Sequence, residues 1–168
     1  MPSPVEIERK YVILKPSAEQ LLALGDCERS EIEQTYLRAD EGVTRRVRCR
    51  IYPNRTVYTE TSKRRIDSMS SYEDEREISE GEYKKLLTEI KQGTHTLRKT
   101  RYAIHYLGVC FEIDIYPEWE RTCILETELQ SREQRVEFPP SIKVIAEVTG
   151  NKKYSNAAMS HTFPKELI

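Results

Sequence analysis

Charged residues recur at every second position along most of the chain, beginning with Glu6, Glu8 and Lys10. In a β-strand, residues i, i+2 and i+4 share one face of the sheet. The alternation therefore predicts strands that have one charged face and one face of apolar or small residues. The same spacing returns at Arg46/Arg48/Arg50, Glu73/Glu75/Glu77, Lys99/Arg101, Glu112/Asp114 and Glu126/Glu128.

Runs rich in Val, Ile, Thr and Tyr predict eight strands. Short turn segments at 52–54 and 107–108 connect neighbouring runs, so these strands should pair antiparallel. Eight antiparallel strands are enough to close a barrel, and closure removes the exposed edges of a flat sheet. The predicted strands cover residues 5–13, 31–38, 43–52, 55–63, 71–78, 97–106, 109–116 and 122–130.

Three short segments have the pattern of helices. Ser79 precedes an amphipathic run that ends near Gly93, and Ser17 precedes a shorter run that ends at Gly25. The third segment, residues 154–159, is weakly amphipathic and should pack against or into the barrel. The expected fold class is mainly β (α+β): an eight-stranded antiparallel closed barrel with a few flanking helices and a C-terminal helix, in one domain over residues 1–168.

The repeated charged face is predicted to line the inside of this barrel. A single charged face is usually solvated, but many such faces in one chain favour a polar lumen. Ion pairing for stability alone explains the pattern poorly, because buried charges are costly to desolvate. The alternating apolar positions must then face outward, under helices, loops or a dimer partner. These outward positions are Ile7, Val47, Cys49, Ile113, Ile115 and Leu129.

The composition narrows the classes of partner. The chain has 27 Lys and Arg against 28 Asp and Glu, so no net field favours nucleic acid or an anionic membrane. It has no membrane-length apolar run, and its first residues lack the features of a signal peptide. We therefore expect a cytoplasmic protein, a monomer or a homodimer. We assign no chemical role to the three histidines or to the scattered cysteines Cys27, Cys49, Cys110 and Cys123.

The predicted lumen carries both signs of charge, which points to a particular chemistry. Its bases suit a compact polyanion, since Arg binds phosphate oxygens in a bidentate manner and Lys acts as a point charge. Its carboxylates would repel that anion unless divalent cations bridge them. The pattern therefore indicates metal-dependent chemistry on a polyphosphate. The inward bases are Lys10, Arg46, Arg48, Arg50, Lys63, Lys99 and Arg101.

The ordered motifs resemble those of the CYTH superfamily, the triphosphate tunnel metalloenzymes. Residues 6–10 are similar to its E-x-E-x-K signature, and similar motifs follow along nearly the whole chain. Ser71 and Asn151 depart from the common pattern, and a long hairpin after Arg50 leaves open whether Arg46/Arg48 or Arg48/Arg50 match its R-x-R. The other matching segments are Gln34-Thr35-Tyr36-Leu37, Thr61-Ser62-Lys63, Glu73-Asp74-Glu75, Lys99-Thr100-Arg101, Glu112-Ile113-Asp114, Glu126-Thr127-Glu128 and Glu147-Val148-Thr149 with Tyr154 and Asn156.

The resemblance implies hydrolysis of a triphosphate, most commonly inorganic triphosphate to pyrophosphate and phosphate, with Mg²⁺ or Mn²⁺. It implies one metal held by Glu6, Glu8 and Glu128 with support from Glu126, and a second held by Glu75 and Asp114. Lys10 and Tyr36 form a hypothetical pair that activates water. The residues expected to bind the phosphates are Lys10, Arg46, Arg48, Lys63, Lys99 and Arg101.

Three other functions remain open at this point. A class IV adenylate cyclase would need a pocket for the base, and a thiamine triphosphatase would need an aromatic cradle. The sequence shows no motif for the first and cannot place the aromatic residues of the second. A non-catalytic polyphosphate or nucleotide-binding protein would use the same ligands without turnover.

Overall fold

The computed structural model describes residues 5–168 and is built around one sheet of nine strands. Neighbouring strands pair antiparallel. In chain order the elements are β1 (Val5–Leu14), α1 (Ala18–Leu22), β2 (Cys27–Leu37), β3 (Thr44–Ile51), β4 (Thr56–Arg65), β5 (Ser70–Ile78), α2 (Glu80–Leu86), β6 (Leu97–Tyr106), β7 (Val109–Ile115), β8 (Thr122–Glu128), β9 (Val144–Glu147) and α3 (Asn156–Met159).

Strand β1 closes the sheet into a barrel. The strand order is β5-β4-β3-β2-β6-β7-β8-β1-β9, and β1 also pairs with β5. One edge of β1 pairs with β8; the other pairs with β5 at Val5–Ile7 and with β9 at Tyr11–Ile13. The predicted eight-stranded antiparallel barrel is therefore confirmed. The short strand β9, which lies on β1 beyond the end of β5, was not predicted.

Strand β2 begins four residues before the prediction. Residues 27–30 pair with β6, from Cys27 opposite Ile104 to Ser30 opposite Arg101. This segment is polar and lacks β-branched residues, so its own propensity does not indicate a strand. The long partner β6 supplies the backbone hydrogen bonds that extend it.

Two apolar clusters cover the outside of the barrel. The α1 cluster packs α1 and residues 136–142 over the outer faces of β1, β6, β7 and β8, with Leu21 fully buried. The α2 cluster packs α2 over the outer faces of β2 to β5, with Tyr83 and Val47 buried. The inside-out arrangement is thus confirmed, and segments of the chain itself cover the outer layer.

The lumen is not polar along its whole length. At the end where β1 finishes and β8 begins, the inward positions turn apolar, so that Val12 follows Lys10 on the inner face of β1. Side chains from the loops and α3, including Trp119 and Met159, pack onto them. This end cluster fills one end of the barrel, which the alternation of charge did not predict.

The three helices are short. Ser17 caps α1 in a reciprocal capping box with Gln20, and the Ser79 hydroxyl accepts a hydrogen bond from the backbone of Glu82 at the start of α2. The predicted C-terminal segment divides at Ser155 into a 3-10 turn, Lys152–Tyr154, and α3, which packs into the end cluster as expected. The longest helix in residues 5–168 has seven residues, too few to cross a membrane.

Candidate functional site: a charged tunnel

A cavity of about 750 Å³ occupies the lumen of the barrel. The structure brings most of the predicted site residues together in its lining. Both alternative arginine pairs face the cavity, because Arg46, Arg48 and Arg50 all line it. The predicted residues in the lining are Glu6, Glu8, Lys10, Tyr36, Arg46, Arg48, Lys63, Glu75, Arg101, Glu126 and Glu128.

The lining is divided by charge into two halves. The strands β5, β1, β8 and β7 are neighbours in the barrel, and they carry its acidic residues. The strands β4, β3 and β6 carry the basic residues, with β2 between β3 and β6 contributing neutral side chains. Among the described strand residues of the lining, Lys10 is the exception, a base on the acidic side. The acidic half consists of Glu73, Glu75, Glu6, Glu8, Glu126, Glu128 and Glu112, and the basic half of Lys63, Arg65, Arg46, Arg48, Arg50 and Arg101.

Like charges face one another in the acidic half. Glu8 lies directly opposite Glu128 in the pairing of β1 with β8, and Glu112 lies opposite Glu126 in the pairing of β7 with β8. Such pairs destabilise a sheet. The proximity of Glu126, followed by burial, raises the pKa of Glu8. The acidic half therefore favours the arrival of positive charge.

Glu6 shows the effect of this repulsion between carboxylates most clearly. Burial, a hydrogen bond to Glu73 and the negative charges of Glu73, Glu8 and Glu128 raise the pKa of its carboxyl to about 9. The protonated Glu6 carboxyl donates to Glu73, whose pKa is lowered. A proton shared in this way reduces the repulsion between the two carboxyl groups of β1 and β5.

The positive charge of Lys10 is balanced by a neighbouring carboxylate. Its Nζ lies 3.2 Å from Glu126 Oε1 and donates to the backbone oxygen of Tyr154 at 3.0 Å. Burial opposes the charge, but the attraction of Glu126 and Glu8 raises the pKa of Lys10. These two carboxylates therefore favour the ammonium form of Lys10 at the cavity wall.

The basic half holds cations with neutral partners. Arg48 donates to the side-chain oxygen of Gln34 and Arg50 to the hydroxyl of Ser30. Burial, then the like charges of Arg46 and Arg101, lower the pKa of Arg48 to about 9. Within residues 5–168, neither Arg48 nor Arg50 forms an ion pair.

Arg46 and Lys63, two further cations of this half, are only loosely paired, whereas Arg101 is held by Asp114 and Glu112. Arg46 reaches Glu73 at 3.5 Å, and Lys63 reaches Glu8 at 3.8 Å. The buried Nε of Arg46 has no hydrogen-bond partner among the described residues. Because an unpaired buried donor is costly, the basic half is suited to an anion that offers several oxygen atoms.

Lys99 and Asp114, two of the predicted site residues, are not in the lining of the cavity. Their side chains are 0% and 1% exposed and lie 2.9 Å apart. Both oxygens of Asp114 also accept hydrogen bonds from Arg101, at 2.8 and 2.9 Å. Their inward positions lie near the apolar end cluster, where burial demands that each charge be paired. Asp114 is thus committed to holding Arg101 and does not fit a metal ligand.

The donor set of the acidic half fits a hard divalent cation. Glu6, Glu8, Glu73 and Glu128 offer only carboxylate oxygens, the ligands that Mg²⁺ and Mn²⁺ prefer. Their mutual repulsion favours such an ion over an empty site. Among residues 5–168, no three acidic, histidine or cysteine side chains are already gathered at coordinating distance.

Sequence reasoning did not assign Glu73, Glu112 or Gln34 to the site. Glu73 and Glu112 line the cavity, and Gln34 binds Arg48 behind it. The i, i+2 rule already placed Glu73 on the same face as Glu75, and Glu112 on the same face as Asp114. The signal for these two residues was therefore present, whereas nothing in the spacing indicated the contact of Gln34.

In the absence of divalent cations, the stability of the protein should depend on pH through the carboxyl group of Glu6. Its pKa is about 9 when folded and near 4.5 when exposed, so between these values unfolding releases a proton. The contribution of Glu6 to the free energy of unfolding therefore falls as the pH rises through this range. Urea unfolding in EDTA should show the decline, and Glu6→Gln should flatten it. An equal slope in both proteins would contradict the assignment.

Comparisons with known proteins agree with this architecture. No family model matches the sequence, and no curated protein matches it. Among solved structures, the inorganic triphosphatase NE1496 is similar at 25% identity over 98% of this chain and 99% of that one, with a TM-score of 0.60. The protein has the CYTH, or triphosphate tunnel, fold.

More distant CYTH-type structures show the same fold over a smaller part of the chain. HpAC1 from Hippeastrum, described as a putative adenylyl cyclase with a dominant triphosphatase activity, is 18% identical with a TM-score of 0.54, over 76% of this chain and 81% of that one. PH1819 from Pyrococcus horikoshii OT3 is 20% identical with a TM-score of 0.56, over 76% and 80%. The fold implied by the E-x-E-x-K resemblance is therefore confirmed.

Proposed function

We propose that the protein is a metal-dependent triphosphatase that hydrolyses inorganic triphosphate to pyrophosphate and phosphate inside the barrel. The observation that carries this proposal is the division of the lumen into a basic half and an acidic half. A triphosphate is a compact polyanion that matches the first half, and a divalent cation matches the second. The similarity to an inorganic triphosphatase over nearly the full chain supports the same function.

The basic half would bind the phosphate groups. Arg46, Arg48 and Arg101 present fixed guanidinium groups, with Lys63 and Arg50 beside them. Phosphoryl transfer requires mainly positioning of the reactants and stabilisation of charge on the transferred group. Lys99, behind the lining, pairs with Asp114 and also reaches the side-chain oxygen of the lining residue Asn156 at 3.4 Å.

Glu6, Glu8, Glu73 and Glu128 would hold Mg²⁺ or Mn²⁺. When bound, the ion supplies charge neutralisation at the phosphate oxygens and lowers the pKa of bound water. Glu75 lines the same cavity but accepts a hydrogen bond from Thr61 at 2.8 Å. Without Asp114, the second metal of the sequence prediction has only Glu75 as a ligand.

Lys10 and Tyr36 would orient the attacked phosphate and the water. Lys10 is cationic at neutral pH because of Glu126, so its part is electrostatic. Tyr36 lines the cavity, and its hydroxyl accepts a hydrogen bond from Gln34 at 2.9 Å. Neither group is placed as a strong base, and the pair serves to position the reactants.

The test of the function is phosphate release from inorganic triphosphate by the purified protein in Mg²⁺, Mn²⁺ or EDTA, beside ATP, thiamine triphosphate and pyrophosphate. We expect metal-dependent release from triphosphate, and its loss in Glu6→Ala. Asp74→Ala is the matched control, because Asp74 alternates with the inward Glu73 and Glu75. Cyclic nucleotide from ATP would indicate a cyclase instead, and metal-dependent binding without release a binding protein.

Tyr36→Phe should lower the rate of triphosphate hydrolysis by about 10-fold, because one hydrogen bond to a charged group is lost from the lining. The ring that packs in the end cluster remains, but the buried amide of Gln34 loses its acceptor, so the unfolding midpoint should fall modestly. Steady-state kinetics with thermal unfolding measure both effects. Full activity in the variant would remove the hydroxyl from the mechanism.

A further inference from the structure

Gln34 is a fully buried amide that joins two residues of the tunnel wall. It lies opposite Arg48 in the pairing of β2 with β3. Its Oε1 accepts hydrogen bonds from Arg48 Nε at 3.1 Å and Nη2 at 2.8 Å, and its Nε2 donates to the Tyr36 hydroxyl at 2.9 Å. One side chain therefore fixes both neighbours.

The neutrality of Gln34 matters for Arg48. A guanidinium in a protein is commonly held by a carboxylate, which satisfies its N–H groups and cancels its charge. The amide oxygen of Gln34 satisfies two N–H groups of Arg48 and cancels nothing. Arg48 is therefore held in one orientation while its positive charge stays available to the cavity.

The direction of the second hydrogen bond matters for Tyr36. An amide nitrogen can only donate, so the Tyr36 oxygen must be the acceptor. The phenolic hydrogen must then point away from Gln34. Because Tyr36 lines the cavity, its O–H is left free to donate toward an anion there. Gln34 thus makes both neighbours donors.

We propose that Gln34 is a positioning residue that orients Arg48 without cancelling its charge, and makes Tyr36 a hydrogen-bond donor, toward a phosphate group in the tunnel. The inference rests on the proposed function, which supplies the anion. A carboxylate of the same shape would reverse both effects, because it would pair with Arg48 and could accept from Tyr36.

The test compares Gln34→Glu and Gln34→Leu with the unchanged protein. We expect Gln34→Glu to lower kcat/KM for inorganic triphosphate roughly 10- to 100-fold, the effect of a hydrogen bond to a charged group, while its unfolding midpoint is unchanged or higher. Gln34→Leu should lose less activity but more stability, because Arg48 keeps its charge and loses its acceptor. A purely structural role would make activity and stability fall together.

Glu33→Gln is the control, since it makes the opposite exchange on the outer face of the same strand, where Glu33 lies 3.6 Å from the exposed Arg98. It should change neither quantity. Gln34→Glu with unchanged kcat/KM, or a greater activity loss in Gln34→Leu, would overturn the inference alone. Absence of triphosphate turnover by the unchanged protein in Mg²⁺ and Mn²⁺ would overturn the proposed function and, with it, this inference.

Discussion

Replacement of Asp114 by Ala should lower the free energy of unfolding by about 3–5 kcal/mol, because it leaves the buried Lys99 without a counter-ion and removes from Arg101 the fully buried one of its two carboxylate partners. Asp114 is 1% exposed and pairs with both Lys99 and Arg101. Burial already lowers the pKa of Lys99 to about 7, with Asp114 opposing that shift. Urea unfolding monitored by circular dichroism measures the loss.

Glu112→Gln is the control for this prediction. Glu112 also accepts a hydrogen bond from Arg101, at 2.9 Å, but its side chain is 33% exposed. Its replacement should therefore cost about 1 kcal/mol or less. If Asp114→Ala unfolded at the same urea concentration as Glu112→Gln, the buried pairing would not have the structural role we assign to it.

Replacement of Arg48 by Met should reduce kcat/KM for triphosphate about 10²- to 10³-fold, the effect of removing one preorganised charge donor from a catalytic site. Arg48 has only a neutral partner, and its like-charged neighbours Arg46 and Arg101 disfavour its charge. The variant should therefore be at least as stable as the unchanged protein. Phosphate-release kinetics measure the expected loss of activity, and thermal unfolding measures whether stability is kept.

Arg45→Met is the matched control on the adjacent position of β3. Arg45 contacts Glu60 at 2.7 Å and Glu89 at 2.9 Å, and does not line the main cavity. Its loss should weaken folding modestly and leave triphosphate turnover intact. Equal activity of Arg48→Met and Arg45→Met would mean that the face of the strand does not matter, contrary to the proposal.

The sequence predicted the barrel because the alternation of charged and apolar residues corresponds to the two faces of nearly every strand in the structure. Arg46, Arg48 and Arg50 line the cavity, while Val47 and Cys49 lie in the α2 cluster between them. Spacing determines the face on which a residue lies. It does not determine how far along the barrel axis an inward residue lies, so it does not tell which inward residues reach the cavity.

Lys99 and Asp114 illustrate this limit of what spacing can determine. Both have the correct phase, but they lie next to the apolar end, where Leu97 and Ile124 follow on the same inner faces. The offset between strands that sets this depth arises from the pairing of distant segments. Similarly, β9 forms because β5 leaves part of the β1 edge unpaired, which no local pattern of four residues can indicate.

The two outer clusters and the unequal pairings divide the barrel into two shells. One shell is β1, β6, β7 and β8 under the α1 cluster, and the other is β2 to β5 under the α2 cluster. In the described residues, eight residue pairs join the shells at β2 and β6, but only three join them at β1 and β5. We therefore expect the two shells to separate more easily at the short seam between β1 and β5, with the long seam between β2 and β6 acting as the hinge. Glu6 lies on β1 and Glu73 on β5, on opposite sides of the short seam, so a cation bound between them would hold the two shells together.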